Sequence, residues 1–358
     1  MKRAHNFCAG PATLPLEVLQ RVQSELPDYQ GKGASILEMS HRSPEYSAIN
    51  EQAVERLKSI LGAGDEWSVL FLQGGASSQF MMVPFNFLSS DRTADIIDTG
   101  TWSFKAINES KNFGHVHIPF SSREIDYTRV PSQDELELSE GAHYVHFTSN
   151  NTIYGTQFPY EPEAKAPLVC DASSDFLSRP IDLDKYGLIY AGAQKNLGPA
   201  GVTIVLIKKS FAESQAANTI PTILDYKTHM KKIFNTPPVF AVYMVNYVLG
   251  WIQEKGGIPY FQELNQKKSD KLYTELDRDD FFRGTVEENS RSKMNVTFRL
   301  PNESLEEQFL NEAEENNLLA LKGHRSVGGI RASIYNACPM ESVDALINFM
   351  SHFRGKFG

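Results

Sequence analysis

The first two-thirds of the chain alternates apolar segments of strand length with longer segments whose apolar residues recur at helical spacing. The pattern predicts strands at 69–72, 95–98, 144–148, 167–170, 187–191 and 202–207, and helices at 16–26, 45–61 and 76–88. Several of these strands are apolar throughout, which is typical of strands covered on both faces of a parallel sheet. We therefore predict an α/β domain with a largely parallel sheet flanked by helices.

Capping and turn residues help to set the boundaries of these elements. Ser43, followed by proline, marks the start of the second helix. Thr13 is the candidate N-cap of the first helix, with Pro15 in its first turn. Polar stretches that contain proline are expected to form surface loops at 119–136 and 157–167.

The pattern changes near residue 256. A long, strongly apolar helix is predicted at 238–255, and a shorter alternating unit follows it. That unit contains predicted helices at 260–277 and 303–316, strands at 293–299 and 328–335, and a final helix from about 340. We expect a large domain over 16–257 and a smaller α+β domain formed by 1–15 and 258–358. The extended N-terminal segment could pack onto either domain, and we assign it to the small one.

The composition argues against several classes of protein. The 358 residues include 35 basic and 44 acidic side chains, and the formal net charge of −9 disfavours a nucleic-acid binder with a broad basic surface. Cys8, Cys170 and Cys338 are far apart and form no CxxC pair, so a zinc ribbon and a disulfide framework are poorly supported. His115 and His117 alternate along a strand without a third ligand. We expect no metal and a reducing compartment.

The sequence carries no signal for a membrane. It has no apolar run of about eighteen residues, and its N-terminus leads into no apolar segment of the secretory type. We expect a cytoplasmic protein without a transmembrane helix.

Lys195 is the first candidate for chemistry. It follows an apolar strand directly, within residues 188–201 (LIYAGAQKNLGPAG). A buried ammonium group is costly, and a Schiff base with an aldehyde cofactor removes that cost. Burial also lowers the pKa of a lysine and favours the nucleophilic neutral amine. A surface lysine in a β-turn explains this segment equally well.

Two further segments gain meaning beside Lys195. Asp171 ends the strand 167–170, where a carboxylate can keep a pyridinium nitrogen protonated, although a strand-end aspartate more often caps a helix. Gly74 and Gly75 separate a strand from a helix, and such a turn lets backbone N–H groups approach a phosphate. The turn matches neither the dinucleotide-binding nor the P-loop pattern, and alone it is a weak signal.

The order of glycine turn, strand-end aspartate and strand-end lysine is found in fold-type I pyridoxal-phosphate (PLP) enzymes. The chain also resembles the phosphoserine aminotransferase family, within the class V aminotransferases, over nearly its whole length. The segments that carry this resemblance are 6–12 (NFCAGPA), 39–43 (MSHRS), 101–103 (TWS), 149–155 (SNNTIYG), 192–196 (GAQKN), 235–238 (NTPP) and 323–333 (GHRSVGGIRAS). The resemblance implies a large PLP-binding domain with a mostly parallel seven-stranded sheet flanked by helices, and a smaller α+β C-terminal domain.

The resemblance also implies the roles of individual residues toward the cofactor. Lys195 would carry PLP and move the substrate proton, Asp171 would pair with the ring nitrogen, and Trp102 would stack on the ring. Thr152 would lie near the ring hydroxyl. The cofactor phosphate would be bound by Ala76, Ser77 and Gln194 and, from the partner subunit, by Asn235 and Thr236. A homodimer with shared active sites follows from that assignment.

The substrate would be held by positive side chains. Arg331 matches the family position for the α-carboxylate, and the positions for the substrate phosphate are His41, Arg42, His324 and Arg325. Arginine suits both anions because it grips carboxylate or phosphate with two parallel hydrogen bonds, although a single arginine is more often a surface charge. One departure is Ser77, which stands where some members carry an arginine that binds substrate.

The implied reaction is ping-pong transfer of the amino group of L-glutamate to 3-phosphohydroxypyruvate, giving O-phospho-L-serine and 2-oxoglutarate in serine biosynthesis. Activity on 4-phosphohydroxy-L-threonine, in pyridoxine biosynthesis, is left open. A cysteine desulfurase is one alternative, but Gln194 stands where those enzymes usually carry histidine, and Cys338 reads as a packed thiol at the start of the last helix. A non-catalytic dimeric binding protein is the other, and intact Lys195 and Asp171 argue against it.

Overall fold

The computed structural model describes residues 3–216 and 219–358. Residues 1 and 2 of the predicted segment 1–15, and residues 217 and 218 of the predicted domain 16–257, lie outside the described residues.

Helices and strands alternate through the described chain. The strands are β1 (His5–Asn6), β2 (Trp67–Leu72), β3 (Thr93–Ile96), β4 (His115–His117), β5 (Ala142–Thr148), β6 (Asn150–Asn151), β7 (Thr156–Gln157), β8 (Leu168–Asp171), β9 (Tyr186–Gly192), β10 (Thr203–Lys208), β11 (Arg283–Gly284), β12 (Asn295–Arg299), β13 (Leu318–Leu319) and β14 (Ile330–Ser333). The α-helices are α1 (Leu16–Glu25), α2 (Pro44–Leu61), α3 (Gly75–Phe87), α4 (Thr101–Ser110), α5 (Lys209–Glu213), α6 (Tyr226–Lys231), α7 (Val239–Glu254), α8 (Gly257–Leu276), α9 (Glu303–Glu315) and α10 (Met340–Phe357).

Seven strands form the central sheet in the order β2-β10-β9-β8-β5-β3-β4. Strand β10 is antiparallel to both of its neighbours, and the other adjacent pairs are parallel. The carboxyl ends of the parallel strands therefore meet at one edge of the sheet, where the turns after β2, β8 and β9 lie. The predicted α/β fold with a mostly parallel seven-stranded sheet is confirmed.

The buried apolar residues form two cores, one around the central sheet and one around a smaller antiparallel sheet. The first packs α1, α2 and α7 on one face of the central sheet, and a smaller cluster fills the other face between the sheet and α3. The second surrounds the three-stranded antiparallel sheet β11-β12-β14 together with α9 and α10. Helix α8 contributes Phe261 to the first core and Leu272 to the second. The domain boundary at 257/258 stays a prediction.

The N-terminal segment reaches both cores. Strand β1 pairs in parallel with β13, and the next residue, Phe7, is fully buried in the second core. Beyond it, the Ala12 N–H donates to the Gln194 carbonyl oxygen (2.8 Å), beside the predicted lysine. This segment therefore forms one wall of the candidate site.

A buried lysine braces the second core. Lys268 on α8 is fully buried, and its Nζ donates to the carbonyl oxygens of Ile334 (2.7 Å), Tyr335 (2.7 Å) and Cys338 (3.1 Å). The first two acceptors directly follow β14, and the Tyr335 carbonyl oxygen also accepts from the Cys338 N–H (2.9 Å). The ammonium group therefore ties the turn after β14 to α8.

Several boundaries differ from those predicted. Ser43 does cap α2, since its Oγ accepts from the Tyr46 N–H (3.3 Å). Thr13 is not the cap of α1: the N-cap is Pro15, and the Thr13 hydroxyl donates to the Asn6 carbonyl oxygen (2.8 Å). Helix α8 begins at Gly257, ahead of its proline, because proline is tolerated in a first turn.

Four further differences concern strands and helix starts. The strand predicted at 95–98 is β3, shifted to Thr93–Ile96, and the predicted loop 157–167 begins inside β7. Helix α4 and the two-residue strands were not predicted. Cys338 precedes α10 rather than starting it.

Candidate active site

Two ionisable side chains meet where β8 and β9 end. Strand β8 ends at Asp171, and Lys195 follows the end of β9 by three residues. The two strands are parallel neighbours, with Asp171 in register with Tyr190, so both side chains leave the sheet at the same edge.

Lys195 occupies an environment that favours its neutral amine. Its Nζ donates to Thr152 Oγ1 at 2.7 Å. Burial lowers the pKa of Lys195 to about 8; the charge of Arg331 acts in the same direction, and Asp171 opposes both. A pKa near 8 leaves part of the amine unprotonated at neutral pH, as a nucleophile or base requires.

Asp171 is a buried carboxylate held in one orientation. Its side chain is 4% exposed, and its Oδ1 accepts from the Ser173 N–H (3.0 Å) and from the Ser173 hydroxyl (2.6 Å). Burial raises the pKa of Asp171, while Lys195 and the hydrogen bonds from Ser173 act against that rise. A cationic ring nitrogen placed beside it would meet a preformed acceptor.

The glycine turn after β2 leads directly into α3, and its role in binding the cofactor phosphate stays a prediction. Gly74 and Gly75 adopt positive φ angles of 95° and 65°, which only glycine adopts readily. The turn leaves the N–H groups of Ala76 and Ser77 in the first turn of a thirteen-residue helix. Free amides at a helix N-terminus favour a phosphate.

The segment that contains Asn235 and Thr236 lies against this turn in the same chain. Asn235 Nδ2 donates to Gln73 Oε1 (3.2 Å), and Gln73 Nε2 donates to the Thr236 carbonyl oxygen (2.7 Å). Gln73 directly precedes Gly74, so the predicted phosphate residues are near one another. Their action across a subunit boundary stays a prediction.

Trp102 lies in the first turn of α4. Its Nε1 is buried and has no hydrogen-bond partner among the residues that the structure describes. Its ring lies 6.5 Å from that of Phe80, centroid to centroid, and Lys105 Nζ lies 4.7 Å from its centroid. The indole is half-buried. Its stacking on a cofactor ring stays a prediction.

Gln194 and Thr152, two of the predicted cofactor residues, lie next to Lys195. The half-buried Gln194 precedes the lysine, and its carbonyl oxygen accepts from the N-terminal segment. Thr152 is 5% exposed and serves two cations: its hydroxyl accepts from Lys195, and its carbonyl oxygen accepts from Arg331 Nη1 at 3.3 Å. Thr152 therefore sets the lysine and the arginine side by side.

Arg331 is a guanidinium without a carboxylate. None of the ion pairs found among residues 3–216 and 219–358 includes it. It is half-buried, and burial lowers its pKa. An arginine placed in this way is ready to pair with an external carboxylate.

The loop before β14 adds positive charge next to Arg331. His324 Nδ1 lies 2.6 Å from Ser326 Oγ. Burial lowers the pKa of His324, and the charges of Arg331, Arg325 and Lys105 lower it further. Several cations therefore converge on one place in a protein of net charge −9, which favours an anionic ligand.

His41 and Arg42 lie at the surface before α2. His41 is half-buried and Arg42 is exposed, and the Arg42 backbone N–H donates to Ser40 Oγ (3.2 Å). Their role in binding the substrate phosphate stays a prediction.

The chain is similar to known aminotransferases in sequence and in structure. The family model described as aminotransferase class-V matches residues 4–346. A curated phosphoserine aminotransferase from Herpetosiphon aurantiacus is 52% identical over 358 residues, covering 99% of each chain. A solved phosphoserine aminotransferase from Bacillus circulans subsp. alkalophilus is 49% identical, with a TM-score of 0.97 and 100% of both chains covered. The PLP-bound enzyme from Trichomonas vaginalis is 40% identical, with a TM-score of 0.93 over 98% of this chain and 100% of that one.

The chain belongs to the class-V aminotransferase family. The family resemblance read from its motifs is therefore confirmed.

Three residues of the site were not predicted from the sequence. Ser173 carries the hydrogen bonds to Asp171, and the Asp-x-Ser spacing after a strand is the signal that could have revealed it. Lys105 lies one helical turn beyond Trp102, a spacing visible once α4 is known. Gln73 contacts a segment more than 160 positions away, which no local signal indicates.

Neither of the two buried cysteines suits the cysteine desulfurase alternative. Cys338 is 1% exposed, and burial raises its pKa. Cys170 is also buried, and its pKa lies well above the usual value. Reactive cysteines need the opposite, an accessible thiolate.

The described residues contain neither a group of metal-ligating side chains nor a membrane-spanning helix. No three or more His, Cys, Asp or Glu side chains in that part of the chain are grouped as metal ligands. No helix in it combines the length and apolar character needed to cross a bilayer.

Proposed function

We propose that this chain is a PLP-dependent phosphoserine aminotransferase. It transfers the amino group of L-glutamate to 3-phosphohydroxypyruvate and forms O-phospho-L-serine and 2-oxoglutarate, a reversible ping-pong reaction of serine biosynthesis. Relatives about half identical over the full chain support this function. The observation that carries it is Lys195, close enough to Asp171 and Arg331 for both charges to shift its pKa.

PLP is the cofactor, and the residues present fit it. Lys195 offers an amine, the first turn of α3 offers N–H groups to a phosphate, and Asp171 offers a carboxylate. The half-buried indole of Trp102 offers a face that a flat ring can cover. When bound, PLP supplies an aldehyde that takes up the amino group and a ring that withdraws electrons from the substrate Cα.

Lys195 is the base that removes the proton from the substrate Cα. Its pKa of about 8 makes the neutral amine available. Thr152 holds Nζ through its hydroxyl and Arg331 through its carbonyl oxygen. A substrate whose α-carboxylate pairs with Arg331 therefore brings its Cα toward Nζ.

The second anion of the substrate is held by the remaining positive side chains. His324 lies in the electrostatic field of Arg331 and Arg325, and we assign the substrate phosphate to His324 and Arg325 together with His41 and Arg42. The side-chain carboxylate of glutamate uses the same region. One pocket can thus serve both half-reactions, because O-phospho-L-serine and L-glutamate are small amino acids that each carry an α-carboxylate and a second anionic group.

We further propose a homodimer with shared active sites, located in the cytoplasm. Ile233 and Phe234 are exposed apolar residues directly before Asn235, and a second copy of the chain would cover them. All three cysteines are free, which suits a reducing compartment. Sedimentation of the purified protein tests the dimer, and a monomer at working concentration would contradict it.

The first experiment is the visible spectrum of the purified protein before and after an amino donor is added. O-phospho-L-serine is compared with 4-phosphohydroxy-L-threonine, L-serine and L-cysteine. We expect phosphoserine to convert the cofactor to its aminated form, and L-serine to convert it far more slowly.

Each other result has a defined meaning. An equal response to L-serine would contradict the phosphate assignment of His324 and Arg325. Sulfide release from L-cysteine would move the function to a desulfurase. A protein that shows no cofactor absorbance after PLP is added would support the non-catalytic alternative.

A further inference from the structure

The buried hydroxyl of Ser173 links the end of β8 to the end of β9. The Ser173 hydroxyl donates to Asp171 Oδ1 (2.6 Å), and Ser173 Oγ accepts from the Gly192 N–H (3.1 Å). Ser173 is 7% exposed. Gly192 is the last residue of β9, three positions before Lys195. The hydroxyl therefore links the carboxylate at one strand end to the turn that carries the lysine.

The turn after β8 places this hydroxyl. The Phe176 N–H donates to the Ala172 carbonyl oxygen (2.8 Å), which closes a tight turn over 172–176. The turn also brings the Ser173 N–H back to Asp171 Oδ1 (3.0 Å), a hydrogen bond typical of an aspartate followed by a turn. Two donors from one residue thus fix Asp171.

Both of these donors use the same carboxylate oxygen. They end on Oδ1, so neither of them occupies Oδ2. A carboxylate held through one oxygen cannot rotate freely about its Cβ–Cγ bond, and its second oxygen is presented in a constant direction.

We propose that Ser173 is a positioning residue for transamination: it fixes Asp171 so that Oδ2 is presented to the cofactor ring nitrogen, and it ties that carboxylate to the strand end that carries Lys195. The role in transamination rests on the proposed function. The positioning of Asp171 rests on the hydrogen bonds of Ser173 alone.

The chain contains a matched control beside it. Ser174 is 2% exposed and has the same side chain, but its hydroxyl donates to the Asn150 carbonyl oxygen (2.7 Å) and accepts from Asn150 Nδ2 (2.8 Å). Ser174→Ala therefore removes a buried hydroxyl from the same turn without touching the carboxylate.

The test measures cofactor binding rather than activity alone. Holoenzymes of the wild type, Ser173→Ala, Ser173→Thr and Ser174→Ala are dialysed to equilibrium at a series of pH values, and retained PLP is read from its visible absorbance. We expect Ser173→Ala to bind PLP about tenfold more weakly, the range of one hydrogen bond to a charged group. Ser173→Thr keeps the hydroxyl and should restore binding.

The pH dependence separates positioning from packing. Without the hydroxyl the carboxylate of Asp171 is protonated more easily, so the acid loss of PLP binding should move to higher pH in Ser173→Ala. Ser174→Ala should keep the wild-type midpoint. In the phosphoserine half-reaction we expect the rate constant to fall in Ser173→Ala while KM changes little, because Ser173 acts through Asp171.

Two outcomes would overturn the proposal: wild-type PLP affinity and midpoint in Ser173→Ala, or the same shift in Ser174→Ala. Should Ser173→Ala not fold, Ser173→Cys keeps the side-chain size with a weak donor and should move both readouts in the same direction. A wild type that binds PLP but does not turn over phosphoserine would contradict the proposed function only.

Discussion

Arg331 gives the sharpest test of the substrate pocket. It is a half-buried guanidinium on β14, held by the Thr152 carbonyl oxygen, and the ion pairs found among the described residues do not use it. We expect Arg331→Gln to lose two parallel charge-assisted hydrogen bonds to the substrate α-carboxylate. Each such bond contributes about 1.5 kcal/mol or more, so the loss is about 3 kcal/mol, or about a hundredfold in kcat/KM.

The assay is the single-turnover change in cofactor absorbance with O-phospho-L-serine and, separately, with L-glutamate. Both substrates carry an α-carboxylate, so both should lose about the same factor. Arg331→Lys keeps the positive charge but lacks the two parallel N–H donors of the guanidinium. Its kcat/KM should lie between those of the wild type and Arg331→Gln. As a control, Arg129→Gln removes a guanidinium paired with Glu135 at 2.7 Å and should change kcat/KM by less than about twofold.

A second readout comes from Lys195. The charge of Arg331 lowers the pKa of Lys195, so its removal should raise that pKa and move the acid limb of the rate profile to higher pH. A loss confined to phosphoserine would show that Arg331 binds the phosphate instead. A loss below about threefold with both substrates would refute the carboxylate role altogether.

Three further predictions follow from buried or stacked side chains. Since burial holds the pKa of Lys195 at about 8 and the unfolded chain keeps the ordinary lysine value, the unfolded state binds more protons between about pH 8 and about pH 10. The free energy of unfolding of the cofactor-free protein, measured with urea, should therefore rise with pH over that interval more steeply than that of Lys195→Met. The same pH dependence in both proteins would contradict the lowered pKa of Lys195. Trp102→Leu should weaken PLP binding about tenfold through lost stacking, measured by dialysis, and unchanged retention would remove Trp102 from the site. Lys268→Met removes three hydrogen bonds to carbonyl oxygens and should lower the urea midpoint by the equivalent of about 3 kcal/mol; a midpoint equal to wild type would mean that water replaces the ammonium.

Much of the fold was predictable because its strands are long and buried. β5, β9 and β10 have at least six residues each, and β9 and β10 are mainly apolar. A helical spacing identified α2. The pairing of β1 with β13 was not predictable, since two residues give no periodic signal and their partner lies more than 300 positions away. The antiparallel direction of β10 is likewise a property of the sheet rather than of its own residues.

Some residues of the candidate site could be predicted from the sequence, and others could not. Lys195 and Asp171 stand at strand ends, where an ionisable residue after an apolar run is visible in one line of sequence. Ser173 looks like an ordinary turn serine until its contacts with Asp171 and Gly192 are known. The proximity of Arg331 to Lys195 depends on Thr152, whose carbonyl oxygen accepts from Arg331 and whose hydroxyl accepts from Lys195.

The pairing of β1 with β13 has a consequence for the order in which the protein matures during synthesis. The first strand leaves the ribosome early but has no partner until residues 318 and 319 have been made. The wall of the site that runs from Phe7 to Ala12 can form only then, so nascent chains that end between residues 195 and 318 contain Lys195 and Asp171 but lack a closed pocket. Catalytic competence is thus withheld until nearly nine-tenths of translation is complete, since residue 319 of 358 is needed.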